Sequence, residues 1–279
     1  MMVYIMVAGH IIAFCGIGML YNNPYFWRMV CEIIIMYFFT GMLGITAGAH
    51  RLWAHQSYKA KLPTRIIMMI ANSIANQKCI YKWVLIHRVH HKYADTESDP
   101  HNINNGFLYA HMGWLIRHTP LKVKEKYDQE KLIDIKQDPV VMFQYYLDPY
   151  WNSFWCFIVP GIYGWLVYNS FLSGFVILGV LRWVIVLHCT WTINSIAHTY
   201  GTRPYKPDIK AANSFIGSAL SGGEGSHNFH HVYPNDYAAS EFYSILKLNW
   251  NPTTYFIDFL AFIGQAYDLQ TAKIKKGGE

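Results

Sequence analysis

The chain has 279 residues, 53% of them hydrophobic and 14% charged, with a net charge of +6. Soluble chains average about 25% charged residues, so much of this surface avoids water, and the apolar content excludes disorder. The basic residues form no dense block, which speaks against a nucleic-acid partner and suits a membrane surface.

The apolar segments come first in chain order. A hydrocarbon core of about 30 Å takes about 20 helical residues. Four segments meet that need: 2–21, 29–48, a shorter third at 153–168, and 171–192. The breaks at 22–28 and 169–170 are short, so the spans read as two hairpins. The first lacks the basic flank and small-residue cleavage site of a signal peptide. Pro160 in the third is tolerable where neighbours re-satisfy the backbone. Lysine and arginine set the orientation. Residues 50–152 hold 14 of the 23, residues 193–279 hold 7, and only Arg28 and Arg182 fall elsewhere. The face with 21 of them is expected to be cytosolic, together with both termini. Arg182, inside a span, is expected to face the bundle interior or to snorkel.

Two further apolar pieces are too short or too polar to span. Residues 62–76 begin with Pro63, a good first-turn residue, and residues 253–266 carry Asp258. Both are expected to be helices at the membrane surface or in the cytosolic cap. Gly222-Gly223 reads as a turn and Lys275-Lys276-Gly277-Gly278 as a frayed tail. The five cysteines are scattered, odd in number and mostly within apolar runs. They read as buried small hydrophobes in a reducing compartment, not as a disulfide framework.

Histidine is the other outlier, at 14 residues, and nine of them fall in four places. His50 and His55 stand in HRLWAH, just after the second span. His87, His90 and His91 stand in HRVHH. His198 closes NSIAH after the fourth span, and His227, His230 and His231 stand in HNFHH. Residues at i, i+3 and i+4 share a helix face, so each HxxHH aims three imidazoles one way. Asn194 and His198 align along an extension of the fourth span. His50 and His55, at i and i+5, need a helix end or an adjustment. Imidazole suits zinc, copper, iron or nickel, and one structural zinc takes only four ligands. Nine histidines match two metals, and no glutamate ligands of the soluble di-iron kind accompany them. His10, His101, His111, His118 and His188 read as ordinary core or solvated histidines.

These boxes, in this order, resemble the membrane fatty-acyl-CoA desaturases of the stearoyl-CoA type. GITAGAHRLWAHQSYKA, HRVHHKYADTESDPHN, NSIAHTYGTRPY and GEGSHNFHHVYPNDY all carry the likeness, which runs over roughly 20–268. The resemblance implies a single all-α membrane domain over 1–279: four transmembrane helices and a cytosolic helical cap holding a di-iron site. It implies two Fe2+ ions on His50, His55, His87, His90, His91, His198, His227, His230 and His231, with Asn194 acting through water. It implies an endoplasmic reticulum enzyme that uses O2 to place a cis double bond, Δ9 in type, in a fatty acyl-CoA. An unactivated methylene has no acidic proton, so acid–base groups cannot remove its hydrogen, and the cofactor supplies the hard chemistry. Electrons would come from cytochrome b5, recharged by its NADH-dependent reductase. No HPGG-type haem motif is present, so the donor is expected to be a separate partner, and the basic face suits an acidic carrier. Substrate contacts are implied at Trp83 and Trp191. Met42, two turns before the first box histidine, and Phe38, one turn earlier, would close the tunnel's far end and favour a shorter chain.

The chain departs from the family where the CoA headgroup is held. Leu85-Ile86 replace the usual Arg-Asp before HRxHH, Lys82 replaces Glu, and Asn105 replaces a basic residue. His118 and Thr119 replace Arg-Lys, and the arm before the first span has no counterpart. Each lost charge-assisted contact is worth about a few kcal/mol. An altered or weakened acyl-CoA recognition, with Gln77, Lys78, Lys82 and Arg117 as substitutes, is the first reading. An impaired paralogue, a membrane di-iron hydroxylase or a non-catalytic metal-binding membrane protein are the others.

Overall fold

A computed structural model describes residues 2–241 and 250–273, so the expected tail at Lys275–Gly278 lies outside the described residues. Three helices are long and apolar enough to cross a membrane: Val3–Tyr21, Phe26–Ala54 and Phe171–Ser195. The first ends where Asn22, Asn23 and Pro24 interrupt it. Its outward side chains, among them Tyr4, Ile11 and Phe14, are exposed on the protein, as lipid contact requires. The expected third span is helical without a break over 150–168. It is not among the three: Asn152, Ser153 and its tyrosines and tryptophans keep its hydropathy below theirs.

The second helix changes winding midway. Phe26–Tyr37 is α and Phe38–Ala54 is π. The hydroxyls of Thr40 and Thr46 donate to the Met36 and Met42 carbonyls, each at 2.7 Å, a bond that competes with regular helix pairing. The Leu62–Ala75 helix presses against this π segment. A Cβ on Gly44 would sit 2.5 Å from the backbone of Ala71 and Asn72, so only glycine permits the approach. Met68, Met69 and Ala71 are buried in the contact, while Ile66 and Ile67 face outward. The Pro252–Phe262 helix is two-faced in the same way, with Ile257 and Leu260 inside and Phe259 and Phe262 outside. Asp258 accepts a hydrogen bond from the Tyr237 hydroxyl, 2.9 Å.

Two apolar cores result. One lies between the membrane helices and includes Met6, Ile33, Ile177, Leu181 and Trp183. The other lies beneath the HRVHH helix and includes Trp53, Tyr58, Met68, Ile80, Val84 and Ile257. Strand Lys59–Ala60 pairs antiparallel with Ala266–Tyr267, Lys59 opposite Tyr267, and ties the C-terminal part to the loop after the first box. Gly222 and Gly223 form the expected turn, both at positive φ. Arg182 is fully buried, as expected of a span charge turned inward. Its guanidinium donates to the Leu178 and Cys156 carbonyls at 2.9 and 3.3 Å. The cysteine expectation holds only for Cys79 and Cys156; Cys15 and Cys31 are exposed on apolar helices and Cys189 is intermediate.

Candidate metal centre

The four boxes converge on one place. His50 and His55 stand at the end of the π segment, His87, His90 and His91 on Ile80–Tyr93, and His227, His230 and His231 on His227–Val232. His198 follows the Phe171–Ser195 helix in a turn. The π winding is the adjustment that the i, i+5 spacing needs. The His55 amide donates to the His50 carbonyl at 3.0 Å, and the two rings come to 4.7 Å between centroids.

The nine imidazoles sort into two groups. His50, His55, His87, His91 and His230 form one; His90, His198, His227 and His231 form the other. Within each, one ligating atom per residue lies within 4.8 Å of all the rest. The groups touch where the His91 and His231 rings stack at 4.3 Å. Inside the first group, Nε2 atoms approach at 2.9 Å (His50–His230), 2.8 Å (His55–His87) and 3.1 Å (His91–His230). Inside the second they approach at 3.0 Å (His198–His227), 3.1 Å (His227–His231) and 3.4 Å (His90–His231). Ligands at about 2.1 Å from one ion are separated by roughly 3.0–3.4 Å at adjacent positions.

Hydrogen bonding does not explain the packing. One Nε2 carries one hydrogen or one lone pair, yet that of His230 faces two others, as does that of His231. Burial, reinforced by neighbouring rings, holds His87, His91, His227, His230 and His231 well below the usual histidine range. They are therefore neutral, the form that ligates metal. A pair of first-row metal ions fits this donor set.

Three carboxylates stand behind the rings, and the sequence reading missed all three. His90 Nδ1 donates to Asp99 at 2.9 Å, and His198 Nδ1 to Asp95 at 3.1 Å. Glu224 Oε2 lies 3.3 Å from His50 Nδ1, out of hydrogen-bond alignment, while Oε1 takes the Arg51 guanidinium. Burial alone would raise the Asp99 carboxyl; His90 and His101 outweigh it and hold it well below the usual carboxylate range. Such partners fix ring orientation and tautomer. The available signal was their position, within nine residues after HRVHH and three before HNFHH.

A narrow, mostly apolar cavity opens beside the centre. Tyr37, Gly41 and Ile45 line it along one stripe of the second helix, which continues to His50; His87, His227 and Asn194 complete the histidine end. Trp83 is on its wall, stacked on His87 at 4.8 Å. Gln77 donates to Thr190 on the same wall at 2.8 Å. Three other residues of the expected set do not line this cavity. Trp191 is buried against His111 and His188, Phe38 packs edge-on to Trp250, and Met42 sits behind the wall beside Gly222. Among the proposed headgroup substitutes, Lys82 is paired with Asp148 at 2.7 Å, burial lowers the Lys78 ammonium, and Arg117 is exposed. Leu85 packs onto the core beneath the HRVHH helix. Of the five histidines read as ordinary, His118 is exposed and His101 is buried against His90, 4.1 Å between rings. His10, His111 and His188 bond to one another.

A model of the fatty acid desaturase family matches residues 3–247. The chain is 45% identical over 247 residues to stearoyl-CoA desaturase 5 of Bos taurus, a match covering 88% of this chain and 71% of that protein. It is 41% identical over 257 residues to stearoyl-CoA desaturase 2 of Rattus norvegicus, over 89% of this chain and 71% of the relative. With stearoyl-CoA desaturase of Homo sapiens the identity is 41% over 253 residues, 88% of this chain and 69% of the relative.

Proposed function

The chain belongs to the fatty acid desaturase family, and from that premise we propose that it is an O2-dependent acyl-CoA desaturase of the Δ9 type. The observation that carries this reading is the meeting of two imidazole groups with the end of an apolar cavity. His50, His55, His87, His91 and His230 would hold one iron. His90, His198, His227 and His231 would hold the other, with Asn194 acting through water. Bound iron supplies O2 activation and the removal of hydrogen from an unactivated methylene.

The protein does the rest. The stripe from Tyr37 to Ile45 guides a linear chain toward His50, which converts binding into positioning of the reacting carbons. Trp83 packs that chain against the centre, and Gln77 fixes Thr190 on the wall. Gln77, Lys78, Lys82 and Arg117 hold the headgroup more weakly than an Arg-Asp pair would, and Met42 backs the wall at the chain's far end. The enzyme is a multi-pass protein of the endoplasmic reticulum, with 150–168 as a fourth span and the boxes in a cytosolic cap. Cytochrome b5 and its NADH-dependent reductase supply electrons. Incubation with a saturated acyl-CoA, O2 and that donor system tests the reading by product mass. Loss of two hydrogens supports the desaturase; gain of one oxygen marks a hydroxylase instead.

A further inference from the structure

The two histidine groups are not steadied alike. Among the described residues, carboxylates stand against the rings of His50, His90 and His198, and none against those of His55, His87 or His91. His55 closes the π segment Phe38–Ala54, and the last carbonyls of a helix have no partner in a following turn. The His50 and Arg51 carbonyls are taken by the His55 and Ser57 amides, each at 3.0 Å. The Trp53 and Ala54 carbonyls are taken by Arg88, the arginine of HRVHH. Its Nη2 donates to Trp53 and its Nε to Ala54, both at 2.9 Å. A cation at a helix C-terminus is favoured by the helix dipole as well.

Arg88 is itself held. Its Nη1 and Nη2 meet the two Asp134 oxygens at 2.9 and 2.6 Å, the forked geometry that fixes the plane of a guanidinium. The Gln56 side-chain amide, on the residue after His55 and at a positive φ of 51°, also donates to Asp134. Asp134 stands on the short helix Ile133–Lys136, and its neighbours Leu132 and Ile135 are buried in the core beneath the HRVHH helix. One anchored carboxylate thus collects Arg88 and Gln56, and through them it grips the chain on both sides of His55. Arg88 follows His87 directly and stands one helical turn before His91. The clasp therefore joins the end of the π segment to the helix that carries two more rings of the same group. Those rings meet there: His55 Nε2 is 2.8 Å from His87 Nε2, and the His55 and His91 centroids are 4.5 Å apart.

Ala54, His55, Gln56, Arg88 and Asp134 also line a groove of about 700 Å³ that opens to solvent. The Arg88 and Asp134 side chains are 20% and 34% exposed, and an ion pair so placed adds little to stability. Water in the groove replaces its hydrogen bonds when it is lost, but not its fixed geometry. We propose that Arg88 and Asp134 are positioning residues for the first histidine group. They set where His55 presents Nε2 beside His87, the part that Asp95 and Asp99 play for the second group. This role rests on the reading of the two groups as metal sites.

Anaerobic Fe2+ titration of the full-length protein in detergent micelles tests this, with Co2+ as the spectroscopic probe. Arg88→Gln is expected to weaken one of two sites about 10–100-fold, the usual effect of losing a group that orients a ligand. Asp134→Asn leaves Arg88 in place but frees its plane, and is expected to weaken the same site by a smaller factor. Arg88→Lys keeps the charge without the fork and is expected to fall short of wild type at that site. In each variant the visible Co2+ bands of one ion are expected to change while those of the other stay, with the Tm of the metal-free protein nearly unmoved. Arg88→Gln combined with Asp99→Asn is expected to weaken both sites, each by the factor seen alone. Binding within about threefold of wild type at both sites in Arg88→Gln overturns the clasp. So does an equal loss at both sites with a lowered metal-free Tm, which marks a merely structural contact, or full rescue by lysine. A wild-type protein that binds no iron overturns the metal reading and the clasp with it.

Discussion

Replacing Glu224 by glutamine removes the one carboxylate that stands against both Arg51 and the first box histidine. Arg51 is 1% exposed and donates to Glu224 through Nε and Nη2, at 3.0 and 2.9 Å. Its remaining donors reach the Tyr237 carbonyl, Thr254 and Asn251. Burial alone would raise the Glu224 carboxyl; Arg51 and His50 outweigh it and bring it from 4.5 to about 2. At about 1.4 kcal/mol per pH unit, that fall is worth about 3 kcal/mol. Removing one partner of a buried pair costs about 3–5 kcal/mol, so the two figures agree. Because the folded carboxyl is depressed, the contribution is complete above pH 4.5 and lost as pH falls toward 2. Glu224→Gln is therefore expected to unfold with about 3 kcal/mol less stability at pH 7, measured by denaturant titration in detergent micelles. The gap to wild type is expected to narrow from pH 5 to pH 3. A gap under about 1 kcal/mol at pH 7, or one that ignores pH over that range, refutes the reasoning.

Asp99→Asn loosens the orientation of His90. Iron titration of the purified protein is expected to show about 10–100-fold weaker binding at one of two sites; a change under threefold contradicts the role. Tyr37→Ala removes the ring, and the hydroxyl tie to the Leu220 carbonyl, from the cavity's far end. It is expected to shift acyl preference toward longer chains more than Met42→Ala does, since Met42 packs behind the wall; competition between saturated acyl-CoA substrates of different length decides the ranking. Gly44→Ala forces a Cβ into the backbone of the Leu62–Ala75 helix. It is expected to cost about 1–3 kcal/mol or more, read as a lowered Tm with the iron still bound.

The histidine boxes and most of the helices were legible because their signals are local. HRVHH and HNFHH place three rings on one face by spacing alone, and the first, second and last spans announce themselves by hydropathy. The 150–168 helix was harder, because its aromatic and polar residues weaken that signal. The π winding of Phe38–Ala54, the adjustment that the His50–His55 spacing asks for, has no signature in α-helical periodicity. Asp95, Asp99 and Glu224 were missed because a carboxylate behind a ligand has no spacing rule; only the fold brings each to an Nδ1. The same holds for His10, His111 and His188, which lie 77–178 residues apart along the chain and meet only when two long apolar helices and the short Tyr109–Gly113 helix pack together.

The central claim is that this chain desaturates acyl chains at its paired histidine groups. Expression in a yeast strain without its own fatty acid desaturase, followed by double-bond mapping of the lipids, tests it most directly. The account predicts growth without added unsaturated fatty acids and a double bond at the Δ9 position, both abolished by His90→Ala. Iron-loaded protein in the membrane with no double bond formed, or a product that has gained oxygen instead, would contradict it.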